Sequence, residues 1–201
     1  MRSTEQMMEL ILRVAQQEPH IRAVAMNGSR VNPAAPRDLF QDYDIVYLVD
    51  TVEPFIQDHS WVDVFGERII MQMPDEGELP VDEDIVKFMY LMQLADGNRI
   101  DLRLQRMDHS QAYMKEDRLT VIVLDKDQVL PVPEAPSDKD YWVKCPDAEV
   151  FASHCNEFWW VSTYIAKGLW RRELLYALDM LNQYVRPVLQ QMLCWQVGSE
   201  H

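Results

Sequence analysis

The sequence predicts an α+β fold: a first domain of helix and short strands over residues 1–135, then an α-helical domain over 136–201. Three observations carry this prediction. Short apolar runs separated by turn residues fill the first two-thirds of the chain. Asp96-Gly97-Asn98 sits between an apolar run and an alternating one, the signal of a β-hairpin. Pro131, Pro133 and Pro136 cluster within 130–140, and beyond them residues 148–195 are helical in pattern, aromatic and free of glycine except for Gly168.

Each element has its own reason. Met7, Met8, Leu10, Ile11, Val14 and Ala15 recur at helical spacing over Thr4–Gln17, with Ser3 or Thr4 as N-cap and Pro19 as the stop. Residues 21–26 form a short apolar strand that leads into Asn27-Gly28-Ser29, and 31–39 hold two prolines and read as a loop. A strand follows in Ile45-Val46-Tyr47-Leu48-Val49; residues 62–65 are short and apolar, and 68–73 read as another strand. Residues 74–84 are acidic, with two prolines and a glycine, and read as an exposed loop. Residues 87–95 and 99–104 are the two arms of the hairpin, and 119–124 are a further β run. In the second domain, Gly168 is expected to separate two helices or to cap the first. Pro187 is expected to kink or break the second near Arg186. That second helix, over 171–195, is apolar on more than one side, so it needs partners on more than one side, and a homo-oligomer through the helical domain is one way to supply them.

Composition narrows the function classes. With 48% apolar residues in 201, the chain can bury a sizeable core, yet no apolar run reaches bilayer length and no signal peptide opens it. Cys145, Cys155 and Cys194 are odd in number and form no CxxC pair, which suits reduced thiols in a cytoplasmic protein. The formal net charge of −14 argues against a nucleic-acid surface; by itself it reads first as an aid to solubility.

The chemistry-bearing motif is Gly28-Ser29-Arg30 followed by Asp42-Tyr43-Asp44. Residues i and i+2 of a strand point to one side, so Asp42 and Asp44 would project together, and adjacent carboxylates repel unless a hard divalent cation lies between them. The Gly-Ser turn can offer backbone N–H groups and a hydroxyl to phosphate. Asp101, embedded in Ile100-Asp101-Leu102, would complete the cluster if its strand lies beside the one carrying Asp42 and Asp44. Together these residues read as a metal-dependent nucleotidyl-transfer site. Beside such a motif the net charge of −14 admits a small cationic acceptor.

Four strings extend the motif: Asn27-Gly28-Ser29-Arg30, Phe40-Gln41-Asp42-Tyr43-Asp44-Ile45, Asp96-Gly97-Asn98-Arg99-Ile100-Asp101-Leu102, and Cys155-Asn156-Glu157-Phe158-Trp159-Trp160 running on to Tyr164-Ile165-Ala166-Lys167-Gly168-Leu169. In these the chain resembles the aminoglycoside 6-adenylyltransferase family, also called streptomycin adenylyltransferases. The resemblance covers essentially the whole chain. It implies a polymerase-β-like nucleotidyltransferase domain with a mixed sheet, followed by a helical domain that is partial here relative to the family. It implies transfer of AMP from ATP to a hydroxyl of streptomycin, conferring antibiotic resistance. By match to the motifs, Asp42, Asp44 and Asp101 would hold Mg²⁺, and Gly28, Ser29 and Arg30 would contact the triphosphate.

On this reading Asp101 ligates the metal nearer the nucleophile or accepts the hydroxyl proton. Arg30 is a planar, permanently charged phosphate contact, or a surface arginine paired with a nearby acid. In the helical half, Lys167 would reach the triphosphate, and Glu157 would bind a cationic guanidino group or serve as base; the alternative is a solvated stripe on an amphipathic helix. Two rival functions share the motifs: a superfamily member acting on another small molecule or on a protein hydroxyl, and a non-catalytic remnant.

Overall fold

The computed structural model describes residues 1–78, 84–132 and 134–199. The acidic loop expected over 74–84 is therefore seen only in part, with a 3₁₀ turn at Glu76–Glu78; residues 79–83 lie outside the described residues, as does Pro133. The chain divides into two compact units, Met1–Asp140 and Tyr141–His201. Among the described residues no helix is long and apolar enough to cross a membrane.

The first unit is built on a six-stranded mixed sheet. Its strands are β1 (Ile21–Asn27), β2 (Tyr43–Val49), β3 (Arg68–Gln72), β4 (Lys87–Leu94), β5 (Arg99–Arg106) and β6 (Thr120–Asp125). They lie in the order β3-β4-β5-β2-β1-β6, antiparallel throughout except for the parallel pair β2–β5. Three helices accompany them: α1 (Thr4–Gln17), α2 (Glu53–Gln57) and α3 (Ser110–Tyr113). α1 begins where Ser3 and Gln6 cap each other reciprocally, the side chain of each accepting the other's backbone N–H. Its apolar stripe, Met7, Leu10, Ile11, Val14 and Ala15, packs on one face of the sheet against Val24, Ile45, Tyr47, Tyr90 and Leu102. Full burial of each larger side chain contributes about 1.5–3 kcal/mol. Tyr47 keeps its hydroxyl satisfied by donating to the Ile11 carbonyl at 2.7 Å.

Side chains alternate along a strand, and both faces of β1 and β2 are covered. Ala23, Ala25, Val46 and Leu48 form a second, smaller core with Tyr113 of α3. β2 is thus a central strand buried on both sides, the most rigid place in the unit to mount a functional group. The hairpin turn follows its sequence signal. Gly97 has φ +89°, the Asp96 carboxylate accepts the Asn98 N–H at 3.0 Å, and Leu94 N donates to Asn98 O at 2.8 Å. The apolar residues Val62 and Phe65 are buried three apart in a 3₁₀ helix, His59–Phe65, which presents one residue per turn to the core.

The second unit contains α4 (Ala148–Trp170), α5 (Leu174–Met180), a π-helical segment Leu181–Val185 and α6 (Arg186–Gly198). Asp147 caps α4 by accepting Val150 N at 2.7 Å. One expectation is corrected here and one is met. Gly168 neither separates helices nor caps one: it lies inside α4, which runs on to Trp170, and the chain reverses at Arg171–Glu173 with Arg172 at φ +62°. Gly168 is small because α5 crosses there; a Cβ at this position would come within 2.9 Å of Tyr176 Cδ1 and 3.1 Å of Ala177 Cβ. The α-helix is interrupted just before Pro187, as expected: α5 ends at Met180, α6 begins at Arg186, and the π segment lies between them. The π turn before it, with Arg186 N bonding to Leu181 O, widens the helix, and Pro187 falls in the first turn of α6 where no N–H is needed. The helical unit buries few apolar side chains, chiefly Val161, Ala177 and Val185, while Trp170, Leu175, Leu178 and Leu193 are exposed.

Gly168→Ala should destabilise the helical unit by about 1 kcal/mol, the overpacking against Tyr176 and Ala177 exceeding the gain in helix propensity. Urea denaturation followed by circular dichroism checks this; a stabilised variant would mean that α5 stands further from α4.

Candidate active site

The site is assembled by one strand register. Across the parallel β2–β5 pair, Asp44 is the direct partner of Asp101, with Tyr43 beside Ile100 and Ile45 beside Leu102. β2 opens at Tyr43, one residue later than strict alternation implies, and Asp42 immediately precedes it. Asp42, Asp44 and Asp101 each bring one carboxylate oxygen to within 4.8 Å of the others. All three are partly exposed, so the cluster faces a mouth and not the core.

Holding these charges together has a measurable consequence. Burial, then the neighbouring Asp42 and Asp101 charges, push the Asp44 carboxyl up from 3.8 to about 6, while Arg99 and Arg30 act in the opposite sense. Arg99 answers the repulsion directly: its Nε donates to Asp101 Oδ1 at 2.8 Å and its Nη2 to Oδ2 at 2.7 Å, and Nε stands 3.8 Å from Asp42 Oδ2.

The Gly28-Ser29-Arg30 segment is a single 3₁₀ turn (Gly28–Arg30) at the end of β1. Gly28 has φ +72°, and a Cβ there would sit 2.1 Å from Asp44 Oδ2. Only glycine both adopts this backbone and lets the turn lie directly against the carboxylate. Ser29 Oγ accepts Gln41 Nε2 at 3.2 Å. Arg30 turns inward: Nε donates to the Asp42 carbonyl and Nη2 to the Gln41 carbonyl, both at 2.7 Å, and the guanidinium lies 3.7 Å over the Tyr43 ring. Arg30 therefore ties the turn to the segment that delivers Asp42. The strand end behind the turn is pinned as well, Tyr113 donating to Asn27 Oδ1 at 2.5 Å and Asn27 Nδ2 to Thr120 Oγ1 at 3.3 Å.

Glu157 and Lys167 belong to the other unit, both exposed on α4. Lys167 Nζ lies 5.6 Å over the Tyr164 ring, whose hydroxyl accepts Trp160 Nε1 at 2.9 Å. Two site residues carried no sequence assignment. Gln41 links the turn to the Asp42 segment, and Arg99 engages Asp101. The signal for Arg99 was present, an arginine two residues before a carboxylate on the same side of a strand.

Three hard oxygen donors at this spacing, one of them raised in pKa by burial first and by the other two charges second, fit a divalent cation that neutralises them. Mixed sheet, glycine turn and carboxylate cluster define the class, a nucleotidyltransferase. The streptomycin adenylyltransferase family model matches residues 1–201, and the chain belongs to that family. It is 43% identical over 201 residues to an aminoglycoside 6-adenylyltransferase of Bacillus subtilis (strain 168), covering 100% of this chain and 71% of that protein. A Campylobacter jejuni aminoglycoside 6-adenylyltransferase is 40% identical over 199 residues, covering 98% of this chain and 68% of its own length. The crystal structure of an aminoglycoside 6-adenyltransferase from Bacillus subtilis superposes with a TM-score of 0.52 at 38% identity, over 100% of this chain and 69% of that one.

Two predictions follow from the geometry. Because the folded protein holds the Asp44 proton more tightly than the unfolded chain does, this group leaves stability intact below pH 3.8 and removes it as pH rises through about 6. Asp44→Asn should therefore stabilise the metal-free protein at neutral pH by about 1–2 kcal/mol, a figure discounted for the carboxyl's partial exposure, and the gain should vanish towards pH 4. Thermal melts across that range decide it; a gain independent of pH would refute the electrostatic origin. Gly28→Ala should lower turnover by about 10²-fold or more, because the new methyl displaces Asp44; steady-state kinetics beside a circular dichroism melt would separate this from unfolding.

Proposed function

We propose that this protein transfers the adenylyl group of ATP to a hydroxyl of streptomycin, with Mg²⁺ held by Asp42, Asp44 and Asp101. The observation that carries the reading is the pairing of Asp44 with Asp101 across β2–β5, which gathers three carboxylates beside a glycine turn. In the reaction the acceptor oxygen bonds to the α-phosphorus, the bond from that phosphorus to the pyrophosphate oxygen breaks, and the hydroxyl proton passes to a base. When bound, the metal lowers the pKa of the attacking hydroxyl and neutralises charge on the phosphate oxygens.

The chain's own residues do the rest. Gly28 allows the phosphate chain to approach the backbone, and Ser29 offers a hydroxyl to it. Asp101 would take the hydroxyl proton or serve as a ligand of the metal. Arg30 keeps Asp42 in register through its two carbonyl contacts. From the helical unit we assign Glu157 to a guanidinium of the acceptor and Lys167 to the triphosphate. A dicationic acceptor also suits a chain of net charge −14.

The test is pyrophosphate release and adenylylated product, by mass spectrometry, with ATP, Mg²⁺ and a panel of aminoglycosides. Streptomycin should be modified, and its KM should rise between low and about 0.3 M salt as screening shortens the attraction. Asp42→Asn should lower kcat by about 10³-fold or more with the fold retained. Modification of an uncharged lincosamide with no turnover of streptomycin would overturn the assignment.

A further inference from the structure

Arg99 is the first residue of β5, directly after the hairpin turn, and its fork closes on both oxygens of Asp101. Asp101 is 15% exposed and Arg99 48% exposed, so the carboxylate is held in the cluster while the arginine reaches it from the solvent side. Among the described residues, Arg99 is the cation within ion-pair distance of two of the three carboxylates, Asp101 and Asp42. Arg30, the other guanidinium nearby, is directed to the carbonyls of Gln41 and Asp42.

We propose that Arg99 is a displaceable internal counter-ion: it neutralises Asp101 in the cation-free protein and releases that carboxylate when a divalent cation enters the cluster. The inference rests on the reading of the cluster as a metal site. A bidentate guanidinium engages the oxygens that a hard cation would use. Two positive charges a few ångströms apart in a partly buried site repel strongly. Either Arg99 withdraws, then, or Asp101 does not serve as a ligand. Withdrawal is easy here. The side chain is half in solvent, its backbone is fixed by β4 and β5, and partly exposed ion pairs are weak. A single movement of Arg99 would therefore free both oxygens of Asp101 for the cation.

The test is Mn²⁺ binding to the full chain without nucleotide, by electron paramagnetic resonance or calorimetry. Arg99→Gln should bind Mn²⁺ about tenfold more tightly than the natural chain. That gain should disappear in an Asp101→Asn background, because the competition is for Asp101 itself. Metal-free Arg99→Gln should also melt lower than the natural chain and gain more from saturating Mn²⁺. If Arg99→Gln does not fold without metal, Arg99→Lys, which keeps the charge but loses the fork, should show an intermediate gain. Unchanged or weaker Mn²⁺ binding in both arginine variants would overturn the proposal, as would a full gain that persists in the Asp101→Asn background. No Mn²⁺ binding in any form would overturn the metal-site reading beneath it.

Discussion

A parallel pair of strands sets residues side by side at under 5 Å, and in β2 and β5 the facing residues at the open end are Asp44 and Asp101. Like charges at that distance oppose the pairing that creates it. The pairing holds because the same two strands carry Ile45, Tyr47, Leu102 and Leu104 into the core beneath α1. Hydrophobic burial along β2 and β5 thus imposes an electrostatic strain at their ends. Burial first, and then the neighbouring Asp42 and Asp101 charges, raise the proton affinity of Asp44, and Arg99 offsets part of the repulsion.

The surrounding elements make sense as supports for this pair. Gly28 has no side chain because Asp44 occupies the space where one would be. Arg30 and Gln41 fasten the turn to the residues just before β2, tying Ser29 and Asp42 together. Tyr113 and Thr120 hold Asn27 from the far side, fixing the point where β1 gives way to the turn. A cluster whose backbone is supported on two sides is preorganised, and the rearrangement on arrival of a cation is confined to the Arg99 side chain.

Much of this was legible in the sequence because the signals are local. The helix over Thr4–Gln17 has both its stripe and its cap in sequence, and the hairpin has its Asp-Gly-Asn turn. The convergence of Asp101 with Asp42 and Asp44 was stated as a condition on strand order, which hydrophobic pattern alone does not fix; the parallel β2–β5 pairing meets that condition. What the sequence hid depends on contacts between distant residues. Gly168 looks like a helix stop until α5 is seen crossing it, and Pro187 signals an interruption without saying that a π turn makes it. Arg99 stands two residues before Asp101 and so shares its side, but that its guanidinium closes on the carboxylate and approaches Asp42 is seen only in the fold.

The central claim is that the β2–β5 register makes one cation site from Asp42, Asp44 and Asp101. Anomalous diffraction from crystals soaked in Mn²⁺ at neutral pH tests it most directly. The account predicts a peak bounded by oxygens of all three carboxylates, at the 2.0–2.3 Å or so expected of hard-cation ligands. A peak elsewhere, or none beside Asp44 and Asp101, would contradict it.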